Sequence, residues 1–214
     1  MTNVIRVLVE TTPKKAFVSA LDWPGLSRAG RDEPAAIDAL LAAAPRYAEV
    51  ARAAGMAFGS DDLAVEVHER RDGDATTAFG VPSIVADADR RPADAREAAT
   101  LAALVEASWA AFDRIAAAAP EALRKGPRGG GRDRTKVMEH VNGGDASYAS
   151  VIGIPAADRR SGAELRARVF AILREPSDGS PLAGKRWPPR YAARRIAWHA
   201  LDHAWEIEDR TEPA

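Results

Sequence analysis

Two of the chain's four histidines stand in Trp198-His199-Ala200-Leu201-Asp202-His203-Ala204-Trp205, four residues apart within a strongly helical segment. On a helix, positions i and i+4 lie one turn apart on the same face, with Cβ atoms about 5–6 Å apart. Two imidazoles so placed can grip one metal ion. A third histidine, His140, lies in an earlier amphipathic segment and would complete a three-ligand set. Neutral imidazole suits zinc, nickel and iron, and three protein ligands leave coordination positions free for water or substrate. Such an ion would lower the pKa of bound water or polarise a substrate atom. The competing reading is ordinary packing, because i, i+4 histidines arise by chance in helix-rich chains and Glu206 could simply pair with one of them.

A helical wheel at about 100° per residue sharpens the placement. Ala193, Ala197, Ala200 and Ala204 form a small-residue stripe suited to close helix packing, flanked on one side by Trp198, Leu201 and Trp205. His199 and His203 flank it on the other side with Ile196, Glu206 and Ile207, which predicts histidines at the border of core and solvent. Arg195, Asp202 and Asp209 fall to the solvated face. His140 shares its face with Val137, Val141, Gly144, Tyr148 and Val151, and is expected to point inward. Gly143 and Gly144 each cost a helix about 1 kcal/mol relative to Ala. Close approach of another helix, or room for a ligand, would explain them.

Other residues have weaker claims. Asp145 and Glu206 could orient ligating imidazoles or serve as surface and capping groups. Arg194-Arg195 could hold an anionic thiol or carboxylate, since the guanidinium suits planar anions; a solvated helix face is the plainer reading. His68, in Val65-Glu66-Val67-His68-Glu69, reads as a solvated strand residue, Trp23 as a packing residue, and Trp109, Phe112, Tyr148 and Phe170 as core. No Ser-His-Asp arrangement or paired-carboxylate motif stands out.

The elements that must position these residues fall into two unlike parts, an α+β arrangement. Residues 1–80 predict a small β-β-α-β domain. Val4–Glu10 and Lys15–Leu21 read as a hairpin, and Asp22-Trp23-Pro24-Gly25-Leu26 as a turn. A helix opens at Asp32 or Glu33 and closes near Ala54-Gly55, with Ile37, Leu40, Leu41 and Tyr47 on its apolar side. Leu63–Val67 alternates as a strand. Arg71-Asp72-Gly73-Asp74 reads as a turn, residues 81–92 as a linker, and strand pairing by Ala78–Val85 has little support. Residues 93–214 carry four helical patterns, Ala93–Ala119, Asp133–Val151, Gly162–Leu173 and Pro189–Arg210, implying an antiparallel four-helix bundle. Gly126–Gly131 reads as a flexible loop; it lacks the Lys-Ser/Thr ending of a phosphate-binding loop.

Composition narrows the function classes. The chain has 214 residues, a net charge of −1 and no cysteine. Near-neutral charge gives no general field for nucleic acid or anionic membrane, despite local basic clusters at Arg124–Lys136 and Lys185–Arg195. The lack of cysteine removes disulfides, thiolate metal sites and a cysteine nucleophile, and points to the cytoplasm. No window approaches the roughly 20 apolar residues of a membrane span, and the apolar run at the start is too short for a signal peptide. Abundant Ala and Arg suggest a GC-rich bacterial source.

The residues carry two resemblances. Lys136-Val137-Met138-Glu139-His140 on the second helix of the stretch 93–214, with Trp198-His199 and His203-Ala204-Trp205 on the last, is similar to the DinB/YfiT-like superfamily of four-helix bundles. That resemblance implies a divalent metal on His140, His199 and His203. It further implies a metal-dependent transferase, isomerase or hydrolase acting on a small molecule, in some members with a low-molecular-weight thiol supplied from outside. Ala20-Leu21-Asp22-Trp23-Pro24-Gly25-Leu26, followed by Asp32-Glu33 and Ile37 through Leu40, resembles HicB-like antitoxin domains. No DNA-binding appendage accompanies it, so the module is expected to act as a cap or an oligomerisation surface, with a homodimer left open. A non-catalytic regulatory protein holding a partner through this module is the alternative.

Overall fold

The computed structural model describes residues 3–125, 131–158 and 162–211. It is α+β, with an N-terminal four-stranded sheet followed by helices. Strands β1 (Asn3–Thr12), β2 (Lys15–Ala20), β3 (Ser27–Gly30) and β4 (Leu63–Asp72) lie in the order β3-β2-β1-β4. β1 pairs antiparallel with β2 and parallel with β4. The parallel pairing requires a crossover, supplied by helix α1 (Glu33–Ala53). Asp32 caps α1 by accepting a hydrogen bond from the Ala35 amide, and Pro34 occupies the first turn, where its missing N–H costs nothing.

The expected β-β-α-β order therefore gains a strand, β3, and β4 runs through Arg71 and Asp72, which read as a turn. β4 is an edge strand, and edges tolerate the charged residues that hide a strand in sequence. His68 sits at an irregularity in the β1–β4 register, where Val67 pairs with Val7 and Glu69 with Leu8, and is exposed as expected. Segment 74–90 is not a bare linker. Asp74 caps the short helix α2 (Ala75–Phe79), and Ala86 and Ala88 pack with Leu8 and Leu21 in a small satellite core.

One sheet face presents Ile5, Val7, Val9, Ala16, Val18 and Ala20 to the main core, which also takes Leu40, Tyr47 and Val50 from α1. Ile37 and Leu41, expected on that apolar side, are half-buried at its edge. Trp23 packs edge-on against Phe58 and Tyr47, at 4.8 and 6.2 Å between centroids. The other sheet face carries the fully buried Glu10, whose Oε2 accepts hydrogen bonds from the Ser83 amide and the Thr77 hydroxyl. Burial pushes its carboxyl pKa up, against the pull of those two donors.

The remaining helices are α3 (Ala95–Ala118), α4 (Arg134–Val151), α5 (Ala163–Leu173) and α6 (Pro189–Thr211), close to the expected bounds. α3 packs on α5 and α6, and α4 on the same two. α6 also reaches the sheet: Trp198 meets Phe17 edge-on at 6.1 Å, and Arg194 is paired with Asp89, both nearly sealed from solvent. Gly25, at φ +98°, lies against the same helix, and a Cβ there would stand 2.7 Å from Leu201 Cδ1. One hydrophobic core consequently runs from Ile5 to Ile207. Among the described residues no helix is long and apolar enough to cross a membrane. The Gly126–Gly131 loop falls, residue 131 apart, outside the described residues.

Candidate metal centre

α4 and α6 meet along matching ridges. Tyr191, Arg195, His199 and His203 recur every four residues on α6, and His140, Gly144 and Tyr148 do so on α4. Ridges of this spacing interdigitate in helix packing. The His140 ring lies 4.7 Å from that of His203 and 5.0 Å from that of His199. Two turns along α4, the Tyr148 ring lies 5.3 Å from His199 and 4.8 Å from the Arg195 guanidinium carbon. Advancing along α4 thus means retreating along α6, so the two helices run in opposite directions.

This packing brings together the residues singled out by spacing. One ligand nitrogen from each of His140, His199 and His203 falls in a cluster in which all lie within 4.8 Å of one another. His140 Nε2 and His199 Nε2 are 3.2 Å apart. The depth order differs from the wheel's expectation: His199 is the buried member at 5 % exposure, and His140 is the most open. A wheel gives a direction relative to its own helix, not how deep the neighbouring helix lies. Arg195 likewise joins the histidine ridge rather than the solvated face, half-buried between Tyr148 and Trp198.

Protonation in the cluster follows from its neighbours. Glu206 accepts from His203 Nδ1 at 2.8 Å and from Arg210 Nη1 at 2.8 Å. The His203 hydrogen bond, more than Arg210, holds the Glu206 carboxyl below the usual carboxylate range. An ionised carboxylate only accepts, so His203 Nδ1 donates to Glu206, the arrangement that orients a ligating imidazole. Burial, with the charges of His203 and Arg195 adding, drives the His199 pKa down to about 2. Burial also lowers that of His140. His199 is therefore in its neutral, ligating form throughout the ordinary pH range.

Two features set His199 apart from an ordinarily packed imidazole. His199 Nδ1 is buried without a hydrogen-bond partner. Leaving a polar atom so costs about 1–3 kcal/mol, and packing residues are ordinarily satisfied. Gly144 provides the second feature: a Cβ there would stand 2.4 Å from His199 Cε1 and 2.8 Å from its Nδ1. The helix gives up about 1 kcal/mol of propensity at Gly144 and gains room for this ring. Gly143 faces open space and has no such role.

Of the other candidates, Glu206 orients a histidine, whereas Asp145 does not. Asp145 is buried away from the cluster, accepting from Trp109 Nε1 at 3.2 Å and from Arg166 Nε at 3.0 Å. Trp109 and Phe112 are core, Phe170 is half-buried, and Tyr148 is a wall of the histidine site. Sequence reasoning undervalued Arg195, although its wheel angle already placed it about 40° from His199. No family model, no curated protein and no solved structure matches this chain.

Proposed function

We propose that α3–α6 form a four-helix bundle of the DinB type in which His140, His199 and His203 hold one divalent ion, zinc, nickel or iron. On this reading the protein is a metal-dependent transferase or isomerase for a small molecule, with an external thiol as co-substrate. The observation that carries the reading is the convergence of three imidazoles around the unsatisfied, Gly144-cradled His199 ring. A bound ion would supply Lewis acidity, favouring the deprotonated form of a thiol or similar group.

The chain's own residues do the rest. Glu206 fixes the His203 tautomer by taking the Nδ1 proton into a 2.8 Å hydrogen bond. Tyr148 lies edge-on to His199, and Trp187 packs on Tyr148 at 5.4 Å, forming an apolar wall beside the cluster. The open side is the His140 side, which gives a small molecule its approach. The chain has no cysteine, so the thiol comes from outside.

The test is metal analysis of protein purified without a histidine tag, followed by cobalt(II) loading. About one metal per chain is expected for wild type, abolished by His199→Ala. Wild-type protein that neither carries a metal nor accepts cobalt overturns the reading.

A further inference from the structure

Arg195 sits one helical turn before His199 on the same ridge. Its guanidinium carbon lies 4.8 Å from the Tyr148 ring centroid and 4.6 Å from that of Trp198. The other arginines of α6 are all paired, Arg190 with Glu97, Arg194 with Asp89 and Arg210 with Glu206. Arg195 has no ion pair among the described residues, and its Nη1 is buried without a hydrogen-bond partner. A half-buried cation without a counter-charge is costly, and an anion would offset it.

The surroundings select the kind of anion. Two aromatic rings lie within cation–π range of the guanidinium, so its in-plane N–H edge is what remains for hydrogen bonding. In-plane, two-point acceptance is the geometry of a carboxylate. Position selects the rest of the molecule, because one helical turn separates Arg195 from His199, about 5–6 Å between Cβ atoms. A cavity of about 10 Å³, lined by Ser19, Ser27, Tyr191, Arg195 and Trp198, lies between sheet and α6. It has room for a single water and no more, so a carboxylate can meet only an edge of the guanidinium outside this cavity.

We infer that Arg195 is the carboxylate-binding subsite of the histidine centre, and that the substrate or co-substrate is a short molecule with a carboxylate at one end and a metal-seeking atom at the other. The inference rests on the proposed metal site. It adds a coupling: Arg195 repels a divalent cation on the histidines until an anion offsets its charge, so metal and carboxylate strengthen each other's binding reciprocally.

The experiment compares 3-mercaptopropionate with 1-propanethiol, the same thiol without a carboxylate, on the cobalt(II)-loaded protein. Thiolate-to-cobalt absorption reads binding directly. Wild type is expected to prefer 3-mercaptopropionate by about 10–100-fold, the value of a charge-assisted bond. Arg195→Met should reduce the ratio to near one without weakening cobalt binding in the absence of thiol, and Arg195→Lys should retain part of it. No preference in wild type, or a preference that survives Arg195→Met, overturns the inference. So does a destabilised Arg195→Met variant with unchanged preference, which would make the residue a partner of the single-water cavity. If cobalt does not load at all, acetate titration of the metal-free protein, followed by NMR at the Trp198 indole, decides separately. Shifts that Arg195→Met removes keep the carboxylate subsite, and their absence overturns it.

Discussion

The paired glycines of α4 allow one substitution to be tested against its neighbour. Gly143→Ala and Gly144→Ala make the same chemical change in the same helix, one residue apart, and both gain about 1 kcal/mol of helix propensity. A Cβ at 143 meets nothing within 4 Å. Gly143→Ala should therefore be more stable by about 1 kcal/mol, raising Tm by about 2–4 °C for a chain of this size, and should bind cobalt as wild type does. A Cβ at 144 stands 2.4 Å from His199 Cε1, so the ring or the helix must shift by more than 0.5 Å to restore even a tight contact. Overpacking of this kind costs about 1–3 kcal/mol. Set against the helix gain, Gly144→Ala should lose up to about 2 kcal/mol. The displaced imidazole no longer converges with His140 and His203. Misorienting a ligand through its supporting residues alone costs about 10–100-fold in metal affinity, and at least that loss is expected here. Chelator competition with cobalt and thermal melts of the metal-free proteins measure both effects. Wild-type metal affinity in Gly144→Ala, or an equal loss in Gly143→Ala, would refute the claim that Gly144 exists to seat His199.

Other expectations follow from the same geometry. Glu206→Gln removes the charged acceptor of His203 Nδ1 and should weaken metal binding about 10–100-fold by chelator competition, with little change in fold. In metal-free protein His199 takes no proton in the folded state until about pH 2, against the ordinary histidine value of 6.5 when unfolded. A depressed histidine pKa favours the native state above the unfolded value and loses that advantage as pH falls. Stability should thus drop by up to about 1.4 kcal/mol per pH unit below pH 6.5, and urea melts of His199→Gln should show a flatter profile. Because His199 is already neutral, metal binding should displace at most two histidine protons, read as the slope of log affinity against pH. Breaking the sealed Arg194–Asp89 pair with Arg194→Met should cost about 3–5 kcal/mol, and Asp89→Asn in the same chain should recover part of it in denaturant unfolding.

The residues alone make legible whatever a single helix or turn encodes. The His199–His203 spacing, the Asp32-to-Pro34 helix start and the four helical patterns are local properties, and the structure places them close to expectation. What could not be read depends on neighbours. The extension of β4 is masked by Arg70, Arg71 and Asp72, which an edge strand tolerates because only one side of its backbone is paired. Segment 74–90 has a linker's composition, yet Thr77 and Ser83 are fastened to Glu10, which lies 67 and 73 residues away. The charge of Arg195 points to solvent in the sequence despite its wheel angle; the Tyr148 and Trp198 rings beside it reverse that.

The reach of α6 across both parts of the chain sets the order in which the molecule can be completed during synthesis. Trp198 covers Phe17, Arg46 is paired with Glu208 and Asp209, and Leu201 closes over Gly25. The N-terminal sheet therefore leaves the ribosome well before the helix that seals it, and must wait with apolar surface uncovered. Such late, long-range closure slows folding and lengthens exposure to aggregation. Synonymous or temperature changes that alter elongation should consequently affect the yield of this protein through α6, which carries the histidine face on the side turned away from the sheet.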